Sequence, residues 1–191
     1  MKKIFAVLMV ATLIGFNTSM TVASAKGSNG EKRDAIDKMS TDTLKELYKN
    51  RQQSKKFFDS AYGYAVFNNL KISLMISAGG GQGVAVDKST KKRTYMKMGT
   101  AGINIGLGAQ KYQVIFLFED KKTFDEFVNK GWQADANANA VAGTKGLNAE
   151  AAFQNGIAVY QITEAGLMLQ ADIAGTKYWK NKKLNKGLEK K

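Results

Sequence analysis

The apolar positions divide the chain into stretches of different period. From Ile4 to Phe16 they are continuous, behind Lys2 and Lys3 and ahead of a polar break at Asn17, Thr18 and Ser19. Ala23-Ser24-Ala25 follows as a small-x-small site, so residues 1–25 read as a secretory signal cleaved after Ala25. A membrane-spanning helix needs roughly 20 apolar residues, which disfavours an uncleaved anchor. Residues 26–30 read as a polar stub. The period then becomes helical, with Ile36 and Met39 three apart in a short helix from Glu31 to about Met39. Ser40-Thr41-Asp42 offers a fresh cap, and Thr43 to Glu46 has capping-box spacing. Leu44, Leu47 and Tyr48 form the apolar stripe of a second helix running to near Lys56.

After Phe57 the period drops to two. Tyr62–Phe67 reads as a strand, and Ile72, Leu74, Ile76 and Ala78 alternate with smaller or polar residues. Val84–Val86, Arg93–Met98 and the alternating Ile103 to Ala109 follow. Val114–Phe118 is apolar throughout and predicts burial on both faces. Six short strands joined by tight turns predict an antiparallel meander. A helix interrupts it: Asp120 caps, Phe124, Phe127 and Val128 form its stripe, and Gly131 ends it. Trp132 and the alternate alanines 134–142 then share one face of a strand against which another layer packs closely. Two more strands are expected at Ile157–Thr163 and Leu167–Ala174. The fold class expected is α+β: N-terminal helices on a strongly curved, glycine-rich antiparallel β-sheet, half-barrel or sandwich-like, with one further helix near 121–129. A single domain would occupy 26–191, its core about 33–175, with a basic tail beyond.

Composition removes most chemistry. The 191 residues include no Cys, His or Pro, so disulfides, thiolate or imidazole metal sites and His-based nucleophile pairs are excluded. Gly79–Gly83 enters a strand, not a helix, and lacks the Lys-Ser/Thr of a phosphate loop, so bends and close backbone approach explain it better. Asp135, Asn137 and Asn139 imitate a calcium loop, but Ala140 and Gly146 occupy positions that need Gly and Glu. The acidic doublets Glu119-Asp120 and Asp125-Glu126 suit a helix start. No enzyme activity, metal or cofactor is expected.

Charge points to a partner. Lys and Arg number 29 against 16 Asp and Glu, a net +13. An exported basic protein of the periplasm or cell envelope matches an anionic phospholipid membrane, and no reader motif marks a specific nucleic acid. Two clusters join lysines to rings: Lys55, Lys56, Phe57 and Phe58, and then Lys177, Tyr178, Trp179, Lys180, Lys182 and Lys183. Such groups suit an oil–water boundary. Burial of Phe57 and Phe58 in the core, and a solvated charge run at the C-terminus, are the competing readings. An envelope module that binds protein or polysaccharide through a sheet edge is the alternative function. Protein partner and oligomeric state have no signature in the sequence.

Ala61-Tyr-Gly-Tyr-Ala-Val-Phe67 resembles the opening signature of the SYLF lipid-binding domain family. Gly79–Val84 resembles its glycine-rich segment, and Ile105-Gly-Leu-Gly-Ala-Gln110 one of its strands. Val114–Phe118, Phe124–Phe127, Ala134–Ala136 and Gly166-Leu167 complete the series in order. Asn68 stands where the family usually has Pro, and larger residues replace usual glycines around Lys71 to Met75. The resemblance implies an α+β domain that binds phospholipid or phosphoinositide without catalysis. Actin regulation belongs to eukaryotic members and is not carried over to an exported chain.

Overall fold

In the computed structural model, which describes residues 27–50, 52–133, 153–163, 166–168 and 175–188, the first helix starts earlier and runs longer than its pattern suggests. Ser28 and Glu31 form a reciprocal cap: the Ser28 N–H donates to Glu31 Oε2 at 2.6 Å and the Glu31 N–H donates to Ser28 Oγ at 3.2 Å. Helix α1 then spans Asn29–Asn50 without the expected break at Ser40–Asp42. The Thr41 and Thr43 hydroxyls donate to the carbonyls of Asp37 and Met39 at 2.9 and 2.8 Å. They fold onto the preceding turn instead of capping a new helix, and Asp42 is paired with Lys38 and Lys45 on the helix surface. Helix α2 follows at Gln52–Ser60.

The six short strands expected between 62 and 118 are two long ones, β1 (Gly63–Asp87) and β2 (Arg93–Phe118). They pair antiparallel from Gly63↔Phe118 to Val86↔Arg93, with one register irregularity between Leu74 and Ile76. A straight strand of this length would extend about 80 Å, but the ribbon folds back on itself. A Cβ added at Gly79 would stand 2.7 Å from the Leu70 carbonyl oxygen. At Gly81 and Gly83 it would run into the carbonyls of Asn68 and Val66. Alternate glycines therefore let the two halves of β1 meet backbone to backbone.

The turn joining the strands also holds α2. Asp87 Oδ1 accepts from the Ser89 N–H and hydroxyl and from the Thr90 N–H at 2.7 to 3.0 Å, and Oδ2 accepts from the Tyr62 hydroxyl at 2.7 Å. Burial pushes the Asp87 carboxyl up, but these hydrogen bonds more than reverse it and hold the group well below the usual carboxylate range. Beside it, Lys88 Nζ donates to the carbonyls of Phe58, Asp59 and Ala61 at 2.7, 2.9 and 2.8 Å. It thereby satisfies the C-terminal carbonyls of α2.

Helix α3 (Lys121–Lys130) matches expectation, with Asp120 accepting from the Thr123 N–H at 2.8 Å and Gly131 in the left-handed region at its end. Then come β3 (Trp132–Gln133), β4 (Ile157–Thr163), β5 (Gly166–Met168), β6 (Thr176–Lys180) and α4 (Lys182–Asn185). The alanines of 134–142 and the end of the strand expected to reach Ala174 lie outside the described residues. Among those described, six strands form one sheet in the order β3-β6-β2-β4-β5, with β1 along the other edge of β2. Because the ribbon is doubled, β4 pairs with the second half of β2 and β6 with the first half.

Two layers result, and three apolar clusters fix them. Phe67, Phe116, Phe118, Met96 and Tyr178 meet between the layers, closed by Phe124, Phe127 and Val128 of α3. Leu44 and Leu47 of α1 cover Val66, Ile115 and Leu117 on the outside of the first layer. Val114–Phe118 is thus covered on both faces, as its unbroken apolar run predicts. Ile36 and Leu184 cover Val84, Val86 and Tyr95 on the outside of the second layer. The architecture is α+β, with N-terminal helices on a curled antiparallel sheet.

Candidate functional site

Strand β6 sorts the C-terminal cluster by parity. Thr176 and Tyr178 point between the layers, while Lys177 and Trp179 point out. Tyr178 is 1 % exposed, and its ring lies 4.8 to 5.9 Å from those of Phe67, Phe116, Phe127 and Trp132. Burial pushes its hydroxyl well above the usual phenol value. The expectation that Tyr178 meets a membrane is therefore corrected: it is a core residue, because strand alternation turns it opposite to its lysine neighbours.

Trp179 is 43 % exposed. Its indole lies over Gly99, where a Cβ would come within 3.1 Å of the ring. The register sets Lys97 directly opposite Trp179, and Lys177 opposite Gly99. Both lysines are exposed, so Trp179 shares its outward face with two basic residues, one on each strand. Lys97 and Gly99 were not singled out from the sequence. Their place beside Trp179 follows from the pairing of β2 with β6, which no local pattern encodes.

The expected basic tail is built into the fold as far as α4. The Tyr95 N–H donates to Asn185 Oδ1 at 2.9 Å, and Asn185 Nδ2 donates to the Tyr95 carbonyl at 2.6 Å. One amide side chain thus pairs with a strand as another strand would. Leu184 is buried, whereas Lys182 and Lys183 are exposed. From α1, Arg33 Nε donates to the Leu184 carbonyl at 2.8 Å and Asn29 Nδ2 donates to the Lys183 carbonyl at 3.3 Å. Lys180 points the other way from Trp179 and donates to Asn129 Oδ1 at 3.3 Å.

The other cluster does not join this face. Helix α2 lies over the first layer, and β6 belongs to the second. Phe57 and Phe58 are half-buried: Phe57 stacks near Phe153 at 4.4 Å, and Phe58 lies 5.0 Å from Tyr64 and 5.5 Å from Tyr48. Lys88 sits 4.8 Å from the Phe58 ring centre. Lys55 pairs with Asp59 at 2.7 Å, and Lys56 is exposed. Among the described residues no helix is long and apolar enough to cross a membrane, and no group of acidic side chains could hold a metal ion.

Residues 99–188 match the family model Ysc84, described as "Las17-binding protein actin regulator". Over 154 residues the chain is 47% identical to a protein named "Beta cell expansion factor A" from Aeromonas veronii, an alignment covering 81% of this chain. The chain spans 59% of that relative's length. Residues 99–188 thus match the SYLF (Ysc84) domain family, which the ordered motifs from Ala61 onward also resemble.

Proposed function

We propose that this domain is a non-catalytic module of the cell envelope that binds anionic phospholipid membranes through the outer face of β6 and the neighbouring α4. Trp179 enters the interface, and Lys177, Lys182 and Lys183, joined by Lys97, engage headgroups. Lys55 and Lys56, with the rims of Phe57 and Phe58, form a second and lesser contact on the other layer. The observation that carries this reading is the one large aromatic ring left exposed among the described residues, on the same outward sheet face as two exposed lysines. An indole prefers the boundary between water and acyl chains. Each lysine near an anionic surface contributes on the order of 1 kcal/mol. Export by the N-terminal segment would deliver the domain to such a surface.

Vesicle pelleting tests it. The purified chain should sediment with phosphatidylglycerol vesicles and stay in solution with phosphatidylcholine ones. Trp179→Ala should lower recovery on phosphatidylglycerol several-fold, and Lys177→Glu with Lys182→Glu and Lys183→Glu should abolish it. Equal sedimentation with both vesicle types, unmoved by these substitutions, would instead leave a module that binds protein or polysaccharide.

A further inference from the structure

We infer that a groove on the Lys180 side of β6 binds an acidic peptide segment carrying an apolar anchor, so that the domain holds a protein partner apart from any membrane contact. The groove encloses about 820 Å³ and is lined from α1, the β1–β2 turn, α3, β6 and α4. Its charges do not cancel. Arg93 lies 3.4 Å from Asp37, Lys121 is paired with Asp125, and the oxygens of Asp87 are taken up by the turn and by the Tyr62 hydroxyl. That leaves Lys91, Lys92 and Lys180 lining the groove with no carboxylate partner among the described residues. Lys91 holds a left-handed backbone with φ of 59°, a conformation cheaper for Gly or Asn.

The rest of the lining decides what kind of anion fits. Leu188, 38 % exposed, forms the apolar seat of the groove, and Phe124 and Val128, each 5 % exposed, line it only as part of the core. Thr90, Thr94 and Asn129 bring neutral hydrogen-bonding groups of the kind that meet a peptide backbone. A lone phosphate would leave the seat empty. A bilayer surface is flat and fills a concave cleft poorly, and Lys180, the β6 residue of the groove, alternates with Trp179 along the strand. Acidic side chains on three amines, an apolar residue in the seat and amides against the threonines use every feature at once. The groove would serve a peptide whether or not the Trp179 face meets lipid.

Fluorescence anisotropy with the full chain and a fluorescein-labelled peptide of alternating glutamate and leucine provides the test. Saturable binding is expected. Lys91→Glu with Lys92→Glu, and separately Lys180→Glu, should weaken it by about tenfold or more, while Lys180→Arg retains it. Replacing the peptide's leucines by serine should weaken it as well, and inorganic phosphate should compete poorly. Trp179→Ala should leave peptide binding unchanged even where it removes vesicle binding. Circular dichroism melts establish that each variant is folded. The inference is overturned if the lysine variants bind the peptide as well as the parent does, or if the serine peptide binds equally. It is also overturned if those variants lose phosphatidylglycerol vesicles while no variant or parent binds peptide, since the groove would then belong to the lipid face.

Discussion

Asp87 and Lys88 are adjacent in one turn, and both are committed to the backbone. Asp87→Asn keeps the shape but weakens an acceptor that serves four donors, and should destabilise the fold by about 1–3 kcal/mol in urea titrations. Because folding lowers the pKa of this carboxyl, its stabilisation is complete above the unfolded value of about 3.9 and is lost as pH falls towards the folded one. The stability gap between parent and Asp87→Asn should thus be flat from about pH 5 to pH 8 and close below about pH 4. Lys88→Met removes the donor for three carbonyls at the end of α2. A loss of about 1–2 kcal/mol and faster amide exchange in Gln52–Ser60 are expected. At this scale the sequence was partly legible. Alternation through Thr176-Lys177-Tyr178-Trp179 already implies that a lysine facing water puts Trp179 outside and Tyr178 inside. Reading the cluster as one aromatic-basic patch passed over that parity.

The doubled ribbon is the element that local pattern could not disclose. Period two identifies strand and face, and it located β4 and the covered Val114–Phe118 to the residue. It does not report where a strand ends when the next stretch also alternates, so two strands with a bend look like six. The glycines carried the missing signal in their spacing. Positions 79, 81 and 83 fall on one face, where backbone meets backbone, while Gly80 on the other face has nothing closer than the Met98 carbonyl oxygen at 3.6 Å. Gly81→Val should therefore cost about 2 kcal/mol or more in thermal melts, and Gly80→Ala should stay within about 0.5 kcal/mol of the parent. The single helix α1 was misread for a related reason: Ser, Thr and Asp mark caps, but their side chains bond back along a helix equally well. Helix α4 was legible only as charge, since its anchor, Asn185 on Tyr95, joins residues 90 apart in sequence.

For the whole molecule, the surplus of lysine and arginine over acidic residues acts at long range and is screened by salt. Recovery on phosphatidylglycerol vesicles should fall several-fold between about 0.1 M and 0.5 M sodium chloride, whereas the Trp179→Ala deficit should persist at both, because burying a ring is not screened. Family and fold class were accessible from the ordered motifs, and the layer arrangement was not, since it depends on pairings between distant strands. The corner where Asn29 and Arg33 grip the carbonyls of α4 has a mechanical consequence. Tugged apart at Asn29 and Leu188, the molecule would yield there first, opening like a zip along a few bonds loaded in sequence, while the doubled hairpin behind it bore no tension until that clasp had gone.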